Sequence, residues 1–274
     1  MRKIIYLRKF LALIVDFKLQ WQKNGPPAFA IYFSSNVVVA LIPFALLPIL
    51  TRAFTTSEYG IIGMFGALLA FLYAITGLKS ESILSIKYFS TKKEIFKKFL
   101  VSSLYLLLCS GLIIAVAAII FSNQIEQVTF LKPQFIFLGI ITAIANVFIT
   151  IRLNLWMVKK QPYQYAAFHC SLALVNIALS LSLVFILQLG FSGRIFGISG
   201  ALIVFGMVAL WSLNQQDYIE LSFPKTEFKE TFRYAYPLVF HALSYTLLAT
   251  IDRYFISQTL GLDSLGIYVV AIQL

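Results

Sequence analysis

Chemistry in this chain has to come from a few charged side chains set among long apolar runs. Asp252 and Arg253 lie together in such surroundings, where burying a charge is costly enough to mark it as functional. Neighbours on a helix point about 100° apart, so the two need not pair, and Arg253 can face a cavity and hold an anionic headgroup. The competing reading is an arginine that snorkels to the membrane surface. Arg52 sits just past another apolar run, as a cavity cation or an interfacial anchor. Lys79 and Glu81 close a further run, and Arg152 closes another. Arginine offers phosphate oxygens a bidentate fork, whereas lysine is a mobile point charge. Asp252 is also the acid best placed to hold a coupling cation, H+ or Na+.

Uncharged polar residues inside the runs include Asn36, Asn146, Asn176, His169, His241 and Ser244. Such groups glue helices together or recognise sugar hydroxyls, and His241 could join proton coupling. Gly197 to Ala201 reads as a close helix approach. No metal-ligand cluster, Gly-rich phosphate loop or nucleophile with a base stands at motif spacing, so neither a metal nor a cofactor is expected. Cys109 and Cys170 both fall in apolar runs, which leaves no disulfide framework. The chain does not read as an enzyme. A membrane-embedded glycosyltransferase or polymerase would want acids in its first outer loop, and that loop holds only Glu58, which reads as a helix cap.

The elements that must position these residues follow from composition. Of 274 residues, 60% are hydrophobic and 12% charged, about half the ~25% charged fraction of a soluble domain. With 26 Phe and so little charge, disorder is excluded. The net charge of +11 does not indicate nucleic acid, because the basic residues fall between apolar runs. The fold class is an all-α integral membrane protein: seven charge-free runs span Ala28–Leu50, Gly60–Leu78, Phe99–Phe121, Pro133–Ile151, Ala166–Leu189, Ile195–Leu213 and Tyr234–Ile251. An eighth begins near Ser264. About 20 such residues cross a bilayer as a helix, and the runs lack the alternation of a barrel strand.

Among the 22 Lys and Arg, Arg52, Lys132, Arg194 and Arg253 fall on one side of this topology and all others on the opposite side. The positive-inside rule then places the N-terminus in the cytoplasm. Residues 1–27 are basic with a short apolar stretch, Phe10–Val15, interrupted by Asp16 and Lys18. This reads as an amphipathic segment on the cytoplasmic interface rather than a signal peptide.

Phe54 to Ile61 and Leu260 to Ile267 repeat one pattern: an apolar residue, a short capped turn, then Gly-Ile opening an apolar run. Six helices separate the copies, so parallel halves related by an axis along the membrane normal are expected. The expected organisation is a first six-helix bundle over 28–213, a cytoplasmic linker over 214–233 and the start of a second bundle over 234–274. Because the last apolar run is still open at Leu274, the chain reads as a fragment or truncated product.

Thr51-Arg52-Ala-Phe-Thr-Thr-Ser-Glu58-Tyr59-Gly60 resembles the helix-one exit of polysaccharide (O-antigen, Wzx-type) flippases in the multidrug/oligosaccharidyl-lipid/polysaccharide (MOP) superfamily, which includes the MATE transporters. Leu78-Lys79-Ser80-Glu81 resembles their helix-two exit, with Ser80 where an aromatic is usual and Ser82 where Ala is usual. Asp252-Arg253-Tyr254-Phe255, followed by Leu260-Gly261 and Leu265-Gly266-Ile267-Tyr268, is similar to their helix-seven signature. The resemblance implies a MATE-like transporter of two six-helix bundles that flips lipid-linked oligosaccharide across the bacterial cytoplasmic membrane. It makes Arg52, Lys79, Glu81, Arg152, Asp252 and Arg253 candidate substrate-binding residues. The implied partners are that substrate, the bilayer, a coupling ion and polysaccharide polymerase or glycosyltransferases. Two alternatives stay open, an ion-coupled drug or metabolite exporter and the membrane-embedded glycosyltransferase or polymerase.

Reporter fusions test the orientation. Those in the Lys92–Lys98 and Asn214–Arg233 loops are expected to read cytoplasmic, and one near Ser192 external. An external signal from the Lys92–Lys98 loop would overturn it.

Overall fold

A computed structural model describes residues 28–216, 218 and 223–273, and the interfacial segment expected over 1–27 lies outside them. Backbone groups in lipid must be satisfied within the segment itself, and the apolar runs accordingly form helices. These are α1 Ala28–Ala53, α2 Thr56–Ile75, α3 Ser82–Ser90, α4 Lys93–Ile120, α5 Ser122–Thr129 and α6 Pro133–Val158, then α7 Pro162–Leu181, α8 Gly190–Gln215, α9 Lys225–Thr259 and α10 Gly261–Gln273. No strand occurs among the described residues.

Six helical stretches, rather than seven, are long and apolar enough by themselves to cross a membrane; among them are Thr56–Ser90 and Pro162–Ile186. The expected seventh run lies inside α9, which continues past Tyr234–Ile251 at both ends. Charge-free as it is, that run is diluted by His241, Ser244, Thr246 and Thr250.

Helix two also differs from expectation. It stops at Ile75, and Gly77, Leu78 and Lys79 then adopt φ of +70°, +53° and +57°. Left-handed backbone costs a non-glycine residue roughly 1–2 kcal/mol, so tertiary contacts must hold the break. The Gly77 amide donates to Ser110 Oγ at 2.9 Å, and the Ser103 hydroxyl donates to the Ser80 carbonyl at 3.2 Å. Non-helical backbone survives at membrane depth where protein buries it, and here α4 and α6 do so. The chain resumes as α3.

One end of the molecule gathers the lysine-rich segments. Lys87 pairs with Glu230, Lys98 lies 4.0 Å from Glu227, and Lys159 Nζ donates to Gln216 at 3.0 Å. At the other end Thr56 bonds Asp263, and Gln258 donates to the carbonyl of Val128 at 3.1 Å. There α2 opens with a capping box: the Thr55 amide donates to Glu58 Oε2 at 2.9 Å, and the Glu58 amide returns a bond to the Thr55 hydroxyl.

The two repeated Gly-Ile segments touch each other. Gly60 abuts the Leu262 carbonyl and the Gly266 amide, while Gly266 abuts the Thr56 carbonyl and the Gly60 amide. Gly63 meets Val269 one turn further on. Partners advance together along both helices, so α2 and α10 run in the same direction, and the backbones approach so closely that either Cβ would strike a carbonyl oxygen.

This contact is testable by adding one methyl. Gly266→Ala is expected to cost about 1–3 kcal/mol through overpacking and to lower the thermal midpoint of detergent-purified protein. At Gly200 a new Cβ would meet nothing nearer than Leu179 Cδ1 at 3.8 Å. Gly200→Ala should therefore leave the midpoint unchanged or raise it, since Ala favours a helix by ~1 kcal/mol over Gly. Equal midpoints for the two variants would show that the close approach carries no weight.

Candidate functional site

Arg253 is carried on α9, near the end of the molecule remote from the lysines. It reaches α2, where its Nη1 lies 3.4 Å from the Gly63 carbonyl and close to Gly66. The α2–α10 contact sets this meeting, because Gly63 is one turn beyond Gly60. Arg253 lines a cavity of about 170 Å³ together with Tyr59, Gly66, Gln273 and Arg194.

Arg194 stands near the start of α8. Its Nη1 donates to Asn176 Oδ1 at 3.0 Å and to Ser180 Oγ at 2.6 Å, both on α7. The two helices come this close because Gly197 packs directly on Ser180. Tyr59 donates from its hydroxyl to Gln273 Oε1 at 3.3 Å across the α2–α10 contact. Two guanidinium groups thus face one small cavity, and neither forms an ion pair with any described residue. The Nε of Arg253, like that of Arg152, is buried without a hydrogen-bond partner among the described residues. Asp252 forms no ion pair with either and does not line the cavity. Its Oδ2 accepts the Tyr268 hydroxyl, and its Oδ1 accepts the Arg253 backbone amide at 2.8 Å. Such an arrangement can take up an anion, because it supplies charge and several N–H donors already desolvated.

The other expected site residues lie elsewhere. Arg52 is exposed at the end of α1, beside Phe185. Arg152 is 2% exposed; its guanidinium stacks 4.3 Å over Trp156 and donates to Gln216 Oε1 at 3.1 Å. That brace ties α6 to the end of α8 rather than opening on the arginine cavity. Lys79 is half-buried in the left-handed break. Glu81 ends that break at 7% exposure, and its Oε2, like the Thr76 hydroxyl, has no partner among the described residues. The structure brings Asp252 and Arg253 together with one another but not with Arg52, Lys79, Glu81 or Arg152.

Arg194, Tyr59 and Gln273 were not singled out from the sequence. Arg194 precedes the charge-free run that opens at Ile195 and therefore read as a loop cation. Of the uncharged polar residues, Asn176 orients Arg194, and Asn36 accepts from Tyr165 at 3.2 Å. Among the described residues no three His, Cys, Asp or Glu side chains converge to hold a metal ion.

The sequence model of a family described as polysaccharide biosynthesis protein matches residues 28–274. A Haemophilus influenzae protein named for the Lsg locus is 23% identical over 253 residues, which cover 89% of this chain and 59% of that protein. The chain thus spans about three-fifths of the curated relative it matches. A multidrug resistance MATE family transporter of the MOP superfamily, solved in an inward-facing conformation, superposes with a TM-score of 0.62 at 16% identity. The match covers 85% of this chain and 57% of that one. A MATE crystallised in complex with MaD3S gives 0.59 at 15% identity, over 90% and 61% of the two chains. At these identities the likeness shows the fold, an all-α membrane protein of the MATE type.

Two arginines without ion-pair partners, one held by side chains and the other not, give a direct test. Arg152→Gln removes a charge-assisted bond and the Trp156 stack, worth together about 2 kcal/mol or more, and should lower the thermal midpoint. Arg253→Gln relieves an uncompensated charge, so the midpoint should hold or rise. A fall with Arg253→Gln as large as that with Arg152→Gln would make Arg253 a structural residue.

Proposed function

Because the chain belongs to the polysaccharide biosynthesis protein family, whose model covers residues 28–274, we propose that the protein is a transporter, not an enzyme. It flips lipid-linked oligosaccharide across the bacterial cytoplasmic membrane by alternating access, with its N-terminus in the cytoplasm. The observation that carries this reading is the pair Arg194 and Arg253, two cations lining one cavity whose lining includes no acid, neither in an ion pair with a described residue. A diphosphate linking glycan to lipid suits the pair, since each guanidinium can engage two oxygens in its fork. The cavity lies toward the lysine-poor end, where the substrate would be held late in its passage from the cytoplasm. Lys79, in the break of helix two, is the cation we assign to the entry side.

An ion-coupled exporter of drugs or metabolites would need an acid facing its cavity to hold its cation, and the lining shared by Arg194 and Arg253 contains none. That lining favours the anionic substrate. For the glycosyltransferase or polymerase alternative, product formation by the purified protein without a second protein would decide in its favour.

Complementation of surface-polysaccharide export with the full-length protein tests the charge site, with abundance checked by immunoblot. Arg253→Ala should abolish export at normal abundance, and Arg253→Lys should rescue only in part because the fork is lost. A buried charge contact of this kind is worth about 2–5 kcal/mol, so binding should weaken at least roughly thirtyfold. Arg194→Gln should behave like Arg253→Gln. Wild-type export from both Gln variants would remove the arginine pair from the mechanism.

A further inference from the structure

A second, larger cavity of about 710 Å³ lies on the opposite side of the α2–α9 contact. Its walls are almost wholly apolar and come from α2, α4, α5, α6 and α9, with Met64, Phe71, Ile114, Val128, Ile136 and Ile251 among them. The function proposed above does not use it. Its volume falls within the ~300–1,000 Å³ of ligand pockets. Water would find too few polar partners there to stay. At the lysine-poor end the cavity is closed by the short helix α5, latched to α9 where Gln258 donates to the Val128 carbonyl at 3.1 Å.

The position of this cavity decides what should fill it. The arginine cavity is lined on α2 by Gly63 and Gly66 and on α9 by Arg253; the apolar one is lined on the same helices by Met64, Ala67 and Tyr254. Adjacent residues on a helix face about 100° apart, so the α2–α9 seam carries a cationic side and an apolar side at one level. An amphiphile with an anionic head and a long hydrocarbon chain matches both faces at once. We infer that the apolar cavity holds the isoprenoid chain of the lipid carrier while Arg194 and Arg253 hold its diphosphate, which requires α2 and α9, in contact here, to part and admit the chain between them. This rests on the reading of the substrate given above, and it assigns the tail a site within the protein instead of leaving it in bulk lipid.

The test uses full-length protein in phosphatidylglycerol-containing nanodiscs. A photo-crosslinking amino acid replaces Leu247, which lines the cavity, or its neighbour Leu248, which is 81% exposed. A radiolabelled long-chain polyprenyl diphosphate should label the Leu247 site and not the Leu248 site, and unlabelled polyprenyl diphosphate should compete. Excess phosphatidylglycerol should not. Ala117→Trp, which fills the cavity from α4, should weaken polyprenyl diphosphate binding at least tenfold while binding of inorganic diphosphate stays unchanged. Equal labelling at both positions, displacement by phosphatidylglycerol, or unchanged affinity in Ala117→Trp would each overturn the tail site. Inorganic diphosphate binding that is lost in Arg253→Gln keeps the head reading alive in those cases. Its absence from the wild type would instead sink the head reading itself.

Discussion

The α2 wall of the arginine cavity depends on how closely α2 and α10 can approach. Two glycines, Gly60 and Gly266, bring the backbones together so tightly that a single methyl on either would meet a carbonyl oxygen. In lipid no hydrophobic force drives helices together, and close packing of small residues takes its place. Once that contact is made, Gly63 falls beside Val269 and its carbonyl is presented to Arg253, while Tyr59 comes within reach of Gln273. The wall of the cavity is therefore laid down by glycines that carry no chemistry themselves.

Three arginines in the membrane-spanning region show how differently a fold can treat the same side chain. Arg152 is given an aromatic face and an amide oxygen, and serves to hold α6 to α8. Arg194 is held by an amide and a hydroxyl but receives no opposing charge. Arg253 receives still less, a single long contact to a backbone carbonyl. Neutral hydrogen-bond acceptors orient a guanidinium without cancelling its charge, and so leave it able to attract an anion. The expense of keeping such groups uncompensated is borne by the packing of the surrounding helices, which use Phe65, Leu69, Phe135 and Ile195 as a continuous buried cluster.

Much of this was legible in the sequence, because lipid enforces simple rules. Charge-free runs of the right length became helices, and the lysines gathered at one end as their spacing implied. The repeated Gly-Ile turns announced two segments in the same orientation. What escaped was whatever depends on a partner distant in the chain. Arg194 read as a loop residue because the charge-free run begins one residue later; nothing local signals that Asn176 and Ser180 will draw it into α8. The break at Gly77, Leu78 and Lys79 was hidden too, since two of its three left-handed residues carry ordinary side chains, and the bonds that hold it, from the Gly77 amide to Ser110 and from Ser103 to the Ser80 carbonyl, come from distant α4. Arg52, just past its apolar run, read as either a cavity cation or an interfacial anchor, and its exposure at the end of α1 fits the second.

The Gly60–Gly266 contact is reciprocal: each glycine meets the residue four positions before the other. That reciprocity is the mark of an isologous interface, the kind two identical subunits form about a two-fold axis. A patch built on this rule needs no second surface to pair two copies of the same hairpin. Joining the copies in one chain would replace a chance encounter in the bilayer by a tethered one at high effective concentration. It would also free the two sides to diverge, so that a glycine stays at the axis while an arginine on one side needs no twin on the other.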